Sequence, residues 1–365
     1  MAKIVLDARV INSGTGTYVV KLLDHLQAVD SVNQYTILVP SKDLTYWQPS
    51  KDNFNLLACD YPNYSLAEQF AYKRFLDQLA PDLVHFMMPQ QPLFYRGRKI
   101  ATMHDTTLLK VYNSDKNWLI FHIKQLIGRY VFKKIAKTND HIIAITKNTK
   151  LEYQEFSGID DDKISVIYEA AEVKPHEKLK KYDVPFKEFL IYVGQQPDYK
   201  NIRRLAEAHQ ELLKKHPGLG LVLVGRMNPD TKRNQELFQK RGYKNIHFTG
   251  FISDAERDYL FTKAIAYVFP SLMEGFGLPP LEAMGYGLPV VSSGSSCMPE
   301  VLGPAAVYFD PKKVEEIVTA IELVLTDKNL RKQMIERGYQ QVKKYSWRET
   351  AKQTHAIYQK ILTKN

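Results

Sequence analysis

Cysteine is nearly absent: the chain has two, Cys59 and Cys297, far apart in sequence. They allow no CxxC pair and no zinc-type spacing, which suits a reducing, cytoplasmic setting. No apolar run approaches the roughly 20 residues needed to cross a bilayer. The first apolar stretch breaks at Asp7, too early for a secretory signal, and reads instead as a buried strand. There is no zinc finger or RNP box, so nucleic acid is not an expected partner. There is no Walker lysine motif, which argues against ATP hydrolysis. No Ser-His-Asp order and no metal-ligand cluster stands out, so neither a hydrolytic triad nor a bound metal or other cofactor is expected.

The 365 residues suffice for two domains, and 44% apolar with 25% charged residues is usual for packed α/β cores. The formal net charge is +10. With nucleic acid set aside, an anionic membrane surface or a phosphorylated substrate would account for it, beside a merely basic surface.

Strand and helix patterns alternate throughout. Strands are expected at Ile4 to Ala8, Tyr35 to Val39, Asn55 to Ala58, Leu83 to Met87, Ile100 to Met103, His141 to Ile145 and Ile164 to Ile167. Several are continuous β-branched runs, as in strands covered on both faces. Helices are expected at Thr17 to Val29, Ser65 to Leu79, Asn117 to Ala136 and Lys147 to Phe156. The lysine-rich segment Glu172 to Pro185 breaks the pattern and reads as a linker. A second alternation follows, with strands near Phe189, Leu221, Ile246, Ala266, Pro289 and Ala306, and helices at Ile202 to Lys215, Asp254 to Lys263, Leu278 to Gly285 and Val314 to Leu325. The expected class is α/β, with two Rossmann-like domains, residues 1–171 and 188–345, joined by residues 172–187 and facing across a cleft. Residues 346–365 form a terminal helix with Trp347, Ile357, Tyr358 and Ile361 as its buried stripe.

Four constellations carry chemistry. The strongest runs from Phe269-Pro270-Ser271 through Glu274-Gly275-Phe276-Gly277-Leu278 to Pro279-Pro280-Leu281-Glu282. A strand ends, a glycine loop follows, and prolines open a helix where a missing N–H costs little. Loop amides and the helix N-terminus suit a phosphate or a sugar oxygen, and carboxylates at Glu274 and Glu282 suit vicinal hydroxyls. The structural alternative is a corner with a helix-dipole glutamate. The second is Val193-Gly194-Gln195-Gln196-Pro197-Asp198-Tyr199-Lys200-Asn201, where Lys200 can serve as a mobile charge on phosphate. Exposed lysines at helix starts are also common. The third is Ser13-Gly14-Thr15-Gly16-Thr17-Tyr18, a partial glycine loop, with Val19 where a dinucleotide fingerprint needs glycine. The fourth is His104-Asp105 at a strand end, a pair more often structural.

Together these residues resemble the retaining GT-B glycosyltransferases of family 4, in particular the mannosyltransferase-like branch of bacterial polysaccharide assembly. The likeness runs from Phe248-Thr249-Gly250-Phe251 through Pro270-Ser271, Glu274 to Gly277 and Glu282-Ala283-Met284 to Pro299-Glu300-Val301, and more loosely through Gly14, Gly16, His104-Asp105 and Ile143 to Thr146. Tyr345-Ser346-Trp347 resembles the start of the family's last helix, which crosses back to the first domain. The resemblance implies that Glu282 binds the donor ribose. Glu274 with the amides of Gly275, Phe276, Gly277 and Leu278 would hold sugar and phosphate. Lys200 would neutralise the departing diphosphate, beside Gly194 and Gln195. Gly16 would let its loop close on that diphosphate, His104 would lie beside the sugar, and the backbone at Phe251 and Ile252 would hold the base. Gln195 stands where the family usually has arginine, and Thr17 where the branch often has one, so Arg203, Arg204 and Arg226 are candidates for the missing charge.

The resemblance implies transfer of a hexose of mannose or glucose type from a nucleotide-diphosphate sugar, GDP-mannose or a UDP-sugar, to a glycan or lipid-linked acceptor. It implies retention and no metal. A nucleotide-sugar 2-epimerase and a non-catalytic sugar-nucleotide-binding protein are the alternatives. The mix of Trp118, Phe121, Ile123, Tyr130 and Phe132 with Lys124, Arg129, Lys133 and Lys134 raises peripheral contact with anionic membrane, against a core-packed helix.

Overall fold

The computed structural model describes residues 1–110, 118–172 and 179–364, with the backbone alone for residues 108, 110 and 118–124. The chain divides into two units. One comprises Met1–Lys110, Trp118–Glu169 and Ser346–Asn365; the other, among the described residues, is Ala170–Tyr345.

In the first unit the order is β1 Lys3–Asp7, α1 Gly16–Val29, β2 Gln34–Val39, β3 Phe54–Ala58, α2 Lys73–Leu79, β4 Leu83–Phe86, β5 Lys99–Met103, α3 Thr107–Lys110, α4 Trp118–Thr138, β6 His141–Ala144, α5 Lys147–Ser157 and β7 Ile164–Val166. The strands form a sheet of order β3-β2-β1-β4-β5-β6-β7, and every pairing in it is parallel. The second unit runs β8 Glu188–Val193, α6 Ile202–Leu212, β9 Leu219–Val224, α7 Pro229–Lys240, β10 Ile246–Gly250, α8 Asp254–Phe261, β11 Ala266–Phe269, α9 Leu278–Gly285, β12 Val290–Ser293, α10 Met298–Leu302, β13 Ala306–Phe309, α11 Val314–Thr326 and α12 Lys328–Val342. Its parallel sheet has the order β10-β9-β8-β11-β12-β13. The final helix, α13 Trp347–Leu362, returns to the first unit and lies on α1.

The central strands are buried at every position, as in β4, β6, β9, β11 and β12. Helices therefore cover both faces of each sheet, as the continuous apolar runs require. The winding reverses between β1 and β4 in one sheet and between β8 and β11 in the other. Crevices outside the carboxyl ends of the strands at such points are where ligands bind in this architecture.

All the expected strands appear, with ends shifted by a residue or two. The expected helix at Ser65 to Leu79 appears over residues 66–79, with a π-helical turn, Glu68–Tyr72, ahead of α2. Helix α7 was not expected, because it buries only Thr231, Asn234 and Phe238 and so shows no apolar stripe. The polar tail forms α12 and then α13, which starts at Trp347, where the last helix is expected to begin. Residues 173–178 of the lysine-rich segment lie outside the described residues. Its later part packs on the second unit: the Lys180 amide donates to Ala255 O at 3.3 Å, and Lys180 Nζ pairs with Glu256 at 2.8 Å.

The side chains of Trp118, Phe121, Ile123 and Lys124 lie outside the described residues. In the rest of α4, Phe132 is in the core, Leu126, Ile127 and Tyr130 are exposed, and Arg129 and Lys133 lie over the Phe156 ring. Among the described residues no helix is long and apolar enough to cross a membrane.

Helix α13 buries Trp347, Ala351, Thr354, Tyr358 and Ile361, while Ile357 is only partly covered. A buried polar chain anchors it. The Tyr358 hydroxyl bonds His85 Nδ1 at 2.7 Å, His85 Nε2 meets Thr102 Oγ1 at 2.8 Å, and Thr102 meets the Tyr18 hydroxyl at 2.9 Å. Burial, with His104 nearby, pushes His85 down to about 3, so its ring is neutral and carries one proton. Tyr358→Phe leaves His85 Nδ1 unpaired in the core. It is expected to lower the unfolding free energy by about 1–3 kcal/mol, read by urea denaturation.

Candidate functional site

Around the β8/β11 reversal the backbone is shaped before any side chain acts. Gly194 follows β8 with φ +144°, and a Cβ added at Gly225 would lie 2.5 Å from Gly194 O. The turns after β8 and β9 are thus pressed together, and only glycine fits between them. The β8 turn continues through a 3₁₀ turn, Asp198–Lys200, into Asn201, a non-glycine residue in the left-handed region with φ +61°.

Asn201 is buried, and its side chain clasps three loops. Its amide donates to Pro270 O at 3.1 Å and to Pro311 O at 2.7 Å, and its carbonyl accepts from Arg204 at 2.8 Å. The Leu272 amide also donates to Tyr199 O at 2.8 Å. The loop carrying Lys200 is therefore locked to the loop carrying Glu274. Lys200 Nζ lies 2.6 Å from Glu274 Oε1, with side chains 18% and 12% exposed. The peptide of Glu274 is held in turn: its carbonyl accepts from Ser296 Oγ at 2.8 Å and from Cys297 Sγ at 3.3 Å.

Gly277 caps α9 at φ +90°, where a Cβ would lie 2.7 Å from Met298 Cε. Pro279 and Pro280 remove two of the first-turn N–H groups, leaving those of the glycine loop and Leu278 to face a ligand. Glu282, one turn further along, is partly buried, and its carboxylate makes no hydrogen bond among the described residues. Burial raises its pKa, and the charge of Arg257 on α8 opposes that shift. Arg257 itself holds Asp258 at 2.8 Å and Asp254 at 3.0 Å. Helix α8 starts at a capping box formed by Ser253 and Glu256. Immediately before it, Phe251 is exposed and Ile252 partly buried.

Gly16 and His104 belong to the first unit. A Cβ at Gly16 would lie 2.1 Å from Ile11 O, so this glycine is required by its own loop, whereas Gly14 faces open space. His104 is buried with both ring nitrogens engaged: Nδ1 meets Glu169 at 3.2 Å and Nε2 meets Met87 O at 2.9 Å. Burial opposes its protonation, but Glu169, with Met87 O and Asp105, outweighs burial and the net shift of its pKa is upward. Asp105 accepts from the Thr107 amide at 2.8 Å and shapes the turn. A buried triad lies nearby, with Arg9 pairing Asp7 at 2.7 Å and Glu68 at 2.8 Å.

The structure brings Gly194, Lys200, Glu274, the glycine loop and Glu282 to one edge of the second sheet. Sequence reasoning missed Asn201, Ser296 and Arg257. Only Asn201 left a local trace, as the residue following Lys200 at a turn. Of the candidate arginines, Arg203 donates to Asn234 at 3.1 Å and Arg204 is spent on Asn201, while Arg226 lies over Phe251. Among the described residues no group of three or more His, Cys, Asp or Glu is arranged to hold a metal ion.

Comparison with known proteins fits this geometry. Residues 176–341 match the family profile described as glycosyl transferases group 1, and residues 12–173 that of glycosyltransferase family 4. The chain is 36% identical over 183 residues to O-antigen chain mannosyltransferase B of Escherichia coli, covering 49% of this chain and 48% of that protein. It is 28% identical over 323 residues to the serotype-specific mannosyltransferase WbdA of Escherichia coli, covering 79% and 38%. The chain thus spans about half, or less, of the length of these relatives. The sucrose-phosphate synthase of Thermosynechococcus elongatus superposes with a TM-score of 0.78 at 18% identity, covering 99% of both chains. The chain has a GT-B glycosyltransferase fold. It is related to the polysaccharide mannosyltransferases.

The raised pKa of Glu282 carries a stability signature. A carboxyl whose folded value exceeds its unfolded value contributes stability as pH falls through the folded value and loses it as pH rises again. Glu282→Gln removes the desolvated charge. It is expected to raise the melting temperature of the ligand-free protein at neutral pH and to flatten the gain toward acid, measured by thermal denaturation across that range.

Proposed function

We propose that the chain is a retaining hexosyltransferase of the family 4 type. It takes a mannose- or glucose-type hexose from a nucleoside-diphosphate sugar and transfers it to a hydroxyl of a glycan or lipid-linked acceptor in polysaccharide assembly. The observation that carries this reading is the Lys200–Glu274 pair at the mouth of the glycine loop, with Glu282 unbonded beside it. A cation, a row of loop amides and two carboxylates at separate depths match a molecule with a diphosphate flanked by two sugars. The mannosyltransferase names of the relatives support mannose as the transferred sugar.

In this reading the diphosphate takes Lys200 and the amides of Gly275 to Leu278. Glu274 is released to the hydroxyls of the hexose, and Glu282 accepts from the ribose. The bond from the anomeric carbon to the β-phosphate oxygen breaks, and the acceptor oxygen bonds to that carbon on the same face. The acceptor proton passes to the departing diphosphate. Lys200 and the amides stabilise the charge growing on the leaving group, a task that needs no metal. Glu274 is not assigned as a nucleophile.

The chain would work in the cytoplasm. A lipid-linked acceptor would bring it to the inner face of an anionic membrane, and the exposed Leu126, Ile127 and Tyr130 of α4 support such contact.

Lys200→Ala and Glu274→Ala are each expected to lower transfer from GDP-mannose or a UDP-hexose by roughly 100-fold or more, with the protein still folded. Full activity in both variants would sink the assignment. Product analysis separates the alternative: transfer frees the nucleoside diphosphate and builds a glycoside of retained configuration, whereas an epimerase leaves an altered sugar on its nucleotide.

A further inference from the structure

We propose that the first unit carries a remote sugar subsite, a cavity at the ends of β1, β2 and β3 with Tyr64 beside it, which holds a neutral sugar of the acceptor chain some way back from the hydroxyl that reacts. The proposal rests on the glycosyltransferase reading above and selects, between its acceptor classes, a glycan chain over a lipid phosphate.

The cavity, of about 420 Å³, forms where three parallel strands end. Arg9 comes from the chain leaving β1, Ser41 and Lys42 from that leaving β2, and Asp60 and Asn63 from that leaving β3. This is the sheet edge at which such folds bind ligands, and the volume is that of a small-ligand pocket. In the order β3-β2-β1-β4, the end of β3 lies two strands, roughly 10 Å, out from β1 and away from the reversal. Its walls are fixed before any ligand arrives. The Cys59 amide donates to Val39 O at 2.8 Å, the Ser41 amide to Asp60 at 2.8 Å, and Arg9 Nη1 to Tyr61 O at 2.8 Å.

The lining calls for hydroxyls. The side-chain amide of Asn63 makes no hydrogen bond among the described residues, and its Oδ1 is buried. An amide carbonyl only accepts, so its partner must donate. A sugar hydroxyl donates and accepts, and completes this amide whichever way it is turned; a phosphate completes it in one orientation alone. Charge points the same way. Arg9 is spent on Asp7, Glu68 and Tyr61 O, and Lys42 is matched by the Asp60 carboxylate, so the lining offers an anion no net positive charge.

Next to Asn63, Tyr64 supplies a ring. Its φ of +59° lies in the left-handed region that residues with a side chain seldom adopt. Two bonds enforce it: its amide donates to Glu68 Oε2 at 2.9 Å, and its hydroxyl to Gln90 Oε1 at 3.3 Å. Glu68 opens the π-helical turn and is itself held by Arg9. Yet 62% of Tyr64 is exposed, so the core does not use the ring that this conformation places. Strained residues and π-helical turns both gather at ligand sites. A tethered, exposed phenol ring beside free amide groups suits a pyranose, which has apolar C–H faces and a polar rim. Gln90 lies on the chain leaving β4, so Tyr64 leads from the cavity back toward the β1/β4 reversal.

The test uses the full chain with GDP-mannose or a UDP-hexose and α-linked manno- and gluco-oligosaccharides of one to four sugars, comparing wild type with Asn63→Ala and Tyr64→Gly. Glycine is at ease at φ +59°, so the second variant removes the ring without straining the loop. In wild type, KM should fall by about 10-fold or more from the shortest to the longest acceptor of the accepted series. Each variant should erase most of that gain while binding GDP or UDP as wild type does. A KM independent of length in wild type would overturn the proposal, as would an equal rise at every length in both variants. Calorimetric titration with the tetrasaccharides and with inorganic pyrophosphate needs no turnover. Tetrasaccharide binding that is weakened in both variants upholds the subsite even if wild type transfers no sugar, in which case the transferase reading alone falls. Pyrophosphate binding that is lost in Asn63→Ala would mark a phosphate site for a lipid-linked acceptor and overturn the glycan. Absence of tetrasaccharide binding together with absence of length dependence would overturn the subsite and leave the donor site standing.

Discussion

Lys200 and Glu274 come from loops on either side of the strand reversal, and the site is organised by their ion pair. In a partly buried setting two unit charges at contact distance attract by several kcal/mol, about 4 kcal/mol at an effective dielectric near 20. Each is partly desolvated, so each depends on the other while no ligand is bound. Neither residue sets the distance between them. That is fixed by Asn201, adjacent to Lys200 in sequence, whose amide holds Pro270 O on the loop leading to Glu274. A neutral, buried side chain thus positions two charged ones. The same amide reaches Pro311 beyond β13, so the geometry of the pair is tied to the outer part of the sheet as well.

The two units treat buried charge differently. In the first, Arg9 is enclosed by Asp7, Glu68 and the carbonyl of Tyr61, and His104 by Glu169 and a carbonyl. These charges are satisfied within the protein and serve to fix loops at the strand ends. In the second unit, among the described residues, the carboxyl edge carries a carboxylate at Glu282 without a hydrogen bond, an arginine at position 226 without an acceptor, and an exposed phenyl ring at Phe251. Burying the Glu282 charge without a hydrogen bond costs stability, whereas Arg226 and Phe251 lie in solvent. Local departures of this kind concentrate where a fold does chemistry.

The sequence was most readable where one physical cause acts locally. Strands covered on both faces must be continuously apolar, and β8, β9 and β11 stood out for that reason. Helix α7 did not, because it has a wet outer face and a short inner one; its only local marks were Asn228 as N-cap and Pro229 after it. In the tail, the start of α13 was marked by Tyr345-Ser346-Trp347, where the likeness placed the last helix. At the site, Glu274, Glu282 and the glycines between them were visible because one strand-loop-helix corner gathers them within a short span, and Gly194 and Lys200 because a second such turn follows β8. Asn201 and Ser296 were not, because they hold Pro270, Pro311 and Glu274 on other loops, and Arg257 was not, because the Glu282 charge it acts on lies on another helix.

The glycines have internal reasons to be glycine. Gly16, Gly194 and Gly277 were singled out for letting backbone approach a ligand. In the folded chain Gly16 is demanded by Ile11 O, Gly194 by its positive φ, and Gly277 by Met298 as well as by φ +90°. Each therefore has an internal reason to be glycine whatever binds. A substitution there disturbs the loop before it disturbs the ligand, so lost activity in such variants says little about contact. The side chains that report on the ligand are those with a free function and a fixed stem. Glu282 meets that condition, and Gly16 and His104 do not, because their local bonds or packing already account for them.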